Sequence, residues 1–137
     1  MLDVSVAISW LFVDERDEDS QTMAHAVARY GALVPPLFRW ELQNALLTAV
    51  RHGRMEPDQV KKHLESVEEI GVETDGSIMA LPLTTGLGLA QRFQLTAYDA
   101  AYLELAIRRS APLMTRDQKL ARAAEALDLS WKHRPEL

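Results

Sequence analysis

The stretch Ala111-Pro112-Leu113-Met114-Thr115-Arg116-Asp117-Gln118-Lys119-Leu120 decides the architecture. Leu113 to Thr115 reads as a buried strand, and two residues on, Asp117 is placed to cap a helix over Gln118 to Leu127. Ahead of it, Ala100 to Arg108 is apolar almost all round, the pattern of a helix lying in the core, with Asp99 at its start. Helix, buried strand and helix in close succession are the mark of a parallel sheet covered on both faces.

The alternation extends to the N-terminus. Leu2 to Ser5 reads as a very short strand, and Val6 to Val13 as a compact apolar helix capped by Ser5. Gln21 to Tyr30 is a helix ending at Gly31, and Leu33-Val34 is a strand closed by Pro35-Pro36. From Leu37 to His52, Phe38, Leu42, Ala45, Leu46, Ala49 and Val50 recur at helical spacing before Gly53. Pro57 opens another helix, to about Ile70, whose charged residues make it the solvated arm of a helical hairpin. Val72 to Thr74 reads as a brief strand, Ile78 to Leu83 as irregular, Thr85 to Gln94 as a helix and Ser130 to His133 as a last strand. The expected fold is a single domain over residues 1–137, an α/β three-layer α/β/α sandwich around a mostly parallel central sheet.

Bulk composition narrows the function. The 137 residues, 47% hydrophobic, suffice for one core and not for two ordinary domains. With 15 Lys+Arg against 20 Asp+Glu the net charge is −5, which excludes a general nucleic-acid coat held by counterion release. The absence of cysteine excludes disulfides and thiolate zinc sites. Asp3, Asp14 and Glu15 interrupt the opening apolar stretch, unlike a signal peptide, and the expectation is a cytoplasmic protein with no membrane span.

Four acids stand out. In an open parallel sheet, ligands gather at the carboxyl ends of the strands. Asp3 ends the first strand, Asp99 opens the buried helix and Asp117 follows the Leu113–Thr115 strand, so all three can open onto one edge. Glu41 lies one turn into its helix, on the face of Leu37, Ala45 and Thr48, and points inward. Two unit charges about 4 Å apart repel by roughly 4 kcal/mol at an effective dielectric near 20. A divalent cation removes that cost, and Mg²⁺ or Mn²⁺ prefers oxygen ligands while leaving positions for phosphate oxygens. The pattern therefore points to metal-assisted phosphodiester hydrolysis. Ser5 and Thr115 are placed to hydrogen-bond the carboxylates, and Asn44 to orient Glu41.

Taken singly, each acid has an ordinary explanation. Asp99 and Asp117 suit helix caps, Asp3 suits a turn, and Glu41 can pair with Arg39 or Arg51. It is the combination that carries the reading. Trp10, Trp40, Trp131, Phe12 and Phe38 are dispersed and read as core or hairpin packing rather than base-stacking platforms. His25, His52, His63 and His133 show no ligand spacing and read as solvated. Arg39, Arg116, Lys119 and Arg122 are candidates to touch an RNA backbone, with a solvated face of ion pairs the equal alternative. Glu104, inside the buried helix, has no assignment.

Four blocks carry a family resemblance: Asp3-Val4-Ser5-Val6-Ala7; Trp40-Glu41-Leu42-Gln43-Asn44-Ala45-Leu46; Tyr98-Asp99-Ala100-Ala101-Tyr102-Leu103; and Thr115-Arg116-Asp117 with Lys119-Leu120. Their order and spacing resemble PIN-domain ribonuclease toxins of the VapC type, from type II toxin–antitoxin pairs, over Leu2 to about His133. The resemblance implies a Mg²⁺- or Mn²⁺-dependent endoribonuclease acting on RNA, a homodimer, and inhibition by a cognate antitoxin whose C-terminal segment lies near the active site. It matches Asp3, Glu41, Asp99 and Asp117 to the family's acidic positions, Thr115 to the accompanying hydroxyl, and the Leu37–Ile70 hairpin to the region that grips the antitoxin. The family has a few more residues before its first Asp, so the first strand is short here.

Two other classes compete. A haloacid-dehalogenase-like phosphatase needs a second Asp two residues after the first, where Ser5 stands. A non-catalytic receiver-like or partner-binding α/β module would use the acids as caps and the hairpin as its working surface; a receiver needs an acidic pair ending strand one, where Asp3 is alone, and a phosphoacceptor Asp ending strand three, for which Val72-Glu73-Thr74 offers only a weak equivalent.

Overall fold

The computed structural model describes residues 1–131. Their elements are α1 (Val4–Leu11), α2 (Glu18–Tyr30), β1 (Ala32–Val34), α3 (Leu37–Arg51), α4 (Gln59–Glu69), β2 (Val72–Thr74), α5 (Leu87–Phe93), α6 (Ala97–Arg108) and α7 (Gln118–Ala126), with single 3₁₀ turns at Val13–Glu15 and Gly76–Ala80. β1 and β2 pair in parallel, Leu33 opposite Glu73. Leu2 extends the sheet beyond β1, its N–H donating to the Leu33 carbonyl at 3.1 Å. Parallel bridges from Leu2 to Met114 and from Leu113 to Ser130 complete it. In chain order the segments lie 3-2-1-4-5, an α/β fold with a parallel sheet.

The sheet is leaner than the sequence implies. Of the stretch Leu2 to Ser5 only Leu2 bridges, because the chain turns into α1 already at Val4, where the Val6 N–H reaches the Asp3 carbonyl at 3.1 Å. The expectation of a helix beginning at Val6 under a Ser5 cap is corrected accordingly. Leu113 and Met114 likewise make bridges rather than a strand. Ser130 is paired, while the remainder of the expected last strand, His133 included, lies outside the described residues.

The helices form two packed groups, α1 to α4 and α5 to α7, as a sheet covered on both faces requires. α6 buries Ala100, Tyr102, Leu103, Leu105 and Ala106 and so is the core helix. Each Leu buried this fully stabilises by about 1.5–3 kcal/mol. α5 begins only at Leu87, since Gly86 takes φ +86°, a left-handed conformation no helix interior accepts. Asp117 caps α7, its Oδ1 accepting the Leu120 N–H at 2.8 Å. α6 is capped by Thr96, not Asp99, which occupies the third helical position and receives the cap's bond through its own N–H.

Trp10, Phe12 and Phe38 are buried as expected, but Trp40 is 66% exposed, because α3 presents its Phe38-Leu42-Leu46 face to the core and Trp40 lies off it. His25 and His52 are exposed and His63 half-buried. No helix of the described residues is long and apolar enough to cross a membrane.

Candidate functional site

Strand order 3-2-1-4-5 reverses between the first and fourth segments, and in open α/β sheets ligands gather at the carboxyl ends of such a switch point. Asp3 directly follows Leu2 on one side, and Thr115 directly follows Met114 on the other, with Asp3 N–H bonded to the Met114 carbonyl at 2.9 Å. Asp3 is only 4% exposed. Its Oδ2 accepts the Thr115 hydroxyl at 2.8 Å and the Ser5 hydroxyl. Each hydroxyl oxygen accepts a backbone N–H of the next loop, Arg116 to Ser5 Oγ at 2.9 Å and Asp117 to Thr115 Oγ1 at 3.1 Å. A hydroxyl owns one proton, so the incoming N–H on its oxygen directs that proton to Asp3.

α3 and α6 supply the other acids. Glu41 is half-buried, and its Oε2 accepts the Tyr102 hydroxyl across from α6. Asp99, one turn before Tyr102 on the same helix face, accepts the Thr96 hydroxyl at 2.8 Å. Burial pushes the Asp3 carboxyl above its ordinary value; the two hydroxyls oppose this and the Asp99 charge adds to it. Glu41 is also pushed up, first by burial, then by the charges of Asp3 and Asp99, against the Tyr102 bond. Burial and the Glu41 carboxylate hold the Tyr102 phenol far above its usual range, which keeps it a donor.

Asp3, Glu41 and Asp99 thus feel one another's charge. Asp117 stands apart, linked to Asp3 through its N–H and the Thr115 hydroxyl, with one carboxylate oxygen, Oδ1, capping α7. Asn44 is exposed and does not hold Glu41; the buried Tyr102 does, its hydroxyl reaching from α6 to α3. Sequence reading passed over Tyr102, although its place three residues after Asp99 signals a shared face. Of the basic candidates, Arg116 is committed to Asp17 through two bonds, at 2.9 and 2.8 Å, and Lys119 to the Gln94 carbonyl at 2.9 Å. Arg39 and Arg122 are exposed.

The donor set fits a hard divalent cation in kind. The donors are all oxygen, and the buried Asp3 carboxylate is met by hydroxyls rather than by any cationic side chain among the described residues. Among those residues no three His, Asp or Glu side chains close up into a cage. That suits an ion that keeps several waters and takes one or two carboxylates directly, as Mg²⁺ does.

The PIN-domain family matches residues 1–126, which is nearly the whole described chain, and the chain belongs to that family. A ribonuclease named VapC3, from Pyrobaculum aerophilum, is 30% identical over 122 residues, covering 88% of this chain and 92% of the relative.

Proposed function

We propose that the chain is a metal-dependent endoribonuclease, the toxin of a type II toxin–antitoxin pair, with Asp3, Glu41, Asp99 and Asp117 holding Mg²⁺ or Mn²⁺ and Thr115 orienting Asp3. One observation carries the reading: a buried Asp3 carboxylate at the switch point of the sheet, with no cationic side chain of the described residues beside it, pushed up by burial and further by Asp99. The match to a ribonuclease over most of both chains supports RNA as the substrate. When bound, the ion supplies acidity for a water nucleophile and neutralises the charge that builds on the phosphate. The chain's own residues do the rest. Ser5 and Thr115 fix Asp3, Tyr102 fixes Glu41, and Thr96 fixes Asp99, so the carboxylates are held before the ion or the RNA arrives. Apolar burial around Asp3 keeps water scarce and strengthens its pull on a cation.

Two surfaces support the partners. A cavity of about 360 Å³ lies between α1 and α3, lined by Ile8, Phe12, Ala45, Thr48 and Ala49, on the inner arm of the hairpin that carries Glu41. It suits an antitoxin C-terminal segment. Met79, Leu83, Leu87 and Tyr98 are all more than half exposed, which suits burial in a homodimer. The receiver-like reading finds no support, since Asp75, the acid after β2, is held by Arg108 and Arg109.

The test is cleavage of mixed RNA by purified protein with Mg²⁺ or Mn²⁺. Cleavage should vanish in chelator and in Asp99→Asn, whose circular dichroism should match wild type. Activity that persists in chelator, or an Asp99→Asn variant as active as wild type, overturns the reading.

A further inference from the structure

The hydroxyl that holds Asp3 is itself held from outside the site. Ser5 Oγ accepts the Arg116 backbone N–H at 2.9 Å, and the Arg116 guanidinium is gripped by both carboxylate oxygens of Asp17 at 2.9 and 2.8 Å. Asp17 is in turn fixed at the head of α2. Its Oδ1 accepts the Ser20 N–H at 2.8 Å, its own N–H donates to Ser20 Oγ at 3.0 Å, and the Ser20 carbonyl accepts the buried Trp10 indole N–H at 2.8 Å. The run Asp17, Arg116, Ser5, Asp3 therefore connects α2 to the candidate site by consecutive bonds. Isolated surface ion pairs stabilise little, but a two-pronged Arg–carboxylate pair has fixed geometry. This one sits on the residue whose N–H orients the Ser5 hydroxyl.

We infer that Asp17 is a positioning residue: through Arg116 it fixes the loop that aims the Ser5 hydroxyl at Asp3, and so it tunes the affinity of the site for a divalent cation. The activity arm of this inference rests on the nuclease reading; the other arms do not. Asp17 and Arg116 are far down the chain from one another and touch no catalytic acid directly, so neither spacing nor motif marks the pair. It also gives Arg116 a different task from contacting phosphate.

The variants are Asp17→Asn, Asp17→Glu, Arg116→Gln and the double variant Asp17→Asn/Arg116→Gln. Asn caps helices as well as Asp does, so Asp17→Asn removes the charge while keeping the head of α2. In metal-free protein, exchange of the Arg116 amide proton should accelerate about tenfold in Asp17→Asn and stay near wild type in Asp17→Glu. Calorimetry should find Mn²⁺ binding weakened by about tenfold in Asp17→Asn and Arg116→Gln, with the double variant no worse than either. In RNA cleavage kcat should fall with KM nearly unchanged, whereas a phosphate contact by Arg116 would raise KM. Unchanged Arg116 exchange in Asp17→Asn, unchanged Mn²⁺ affinity, or additive losses in the double variant overturn the inference. If the wild type cleaves no RNA the nuclease reading falls, and amide exchange and Mn²⁺ affinity still decide this one.

Discussion

Asp3 and Asp75 occupy equivalent places, each directly after a sheet segment and each about 5% exposed or less, and burial has opposite consequences for them. Asp75 accepts the Arg109 Nε–H at 2.5 Å and the Ser77 N–H at 2.8 Å, and Arg108 stands 3.6 Å away. Arg109, and after it the Ser77 hydroxyl and N–H, hold its carboxyl well below the usual range. Asp3 receives the Ser5 and Thr115 hydroxyls and the Ser5 backbone N–H but no arginine of the described residues, and burial pushes it upward. Loss of hydration is common to both, and what differs is where the compensating positive charge comes from. At Asp75 the chain supplies it, in a network that also contains Glu104, bonded to Arg108 Nε at 2.7 Å. At Asp3 no cationic side chain of the described residues supplies it. The first arrangement ties the Gly76–Ala80 turn to α6, and the second leaves a carboxylate available to a cation.

The sharpest way to break this contrast is to neutralise each carboxylate in turn. Asp3→Asn should lower RNA cleavage by at least about 100-fold while leaving the melting temperature of metal-free protein unchanged or higher, because a costly buried charge is removed. Asp75→Asn should do the reverse, sparing cleavage while costing about 1–2 kcal/mol of stability in denaturant titration, a figure kept low because Arg109 is half-exposed. If both variants lose stability and keep activity, the two aspartates are alike and the contrast fails.

Tyr102→Phe probes the next level of the site. Removing the hydroxyl leaves Glu41 without that donor, and kcat should drop about tenfold with about 1 kcal/mol of destabilisation. A variant indistinguishable from wild type would mean Glu41 needs no such support.

The smallest effect is on pH dependence, and it separates the two aspartates by sign. Asp3 and Glu41 have folded-state values raised above 3.8 and 4.5, so the folded protein binds their protons more tightly than the unfolded chain. Their protonated forms favour the fold, and that contribution is lost as pH rises through the raised values. Asp75 and Asp17 are depressed, so their contribution is present above 3.8 and is lost as pH falls below it. Burial lowers the Met1 ammonium to about 6, which favours the fold as pH rises and opposes the Asp3 and Glu41 contributions. The sign is therefore read from a difference: in chelator, the melting-temperature advantage of Asp3→Asn over wild type should grow as pH rises from acid to neutral. An advantage of Asp3→Asn that does not change with pH, or that shrinks as pH rises, contradicts the assignment.

Much of this was legible in the residues. α3 has the expected start at Leu37 and ends one residue early, and α7 sits under its Asp117 cap. β1 and β2 fall where expected, and the core helix α6 ends at Arg108 as expected but begins at Ala97, three residues earlier than Ala100, because periodicity acts within a few residues while caps set the ends. The inward turn of Glu41 was legible for the same reason. What the sequence determined by itself was local: which segments are helical, which face is apolar, and which acids sit at element ends. Only the tertiary structure decided that Leu2 bridges while Val4 already belongs to a helix, that Trp40 faces out, and that Tyr102 holds Glu41. It alone gave Asp75 two arginines and Asp3 none. The physical reason is range: a helical pattern is set between residues three or four apart, whereas the charge state of a buried acid depends on groups brought to it from anywhere in the chain.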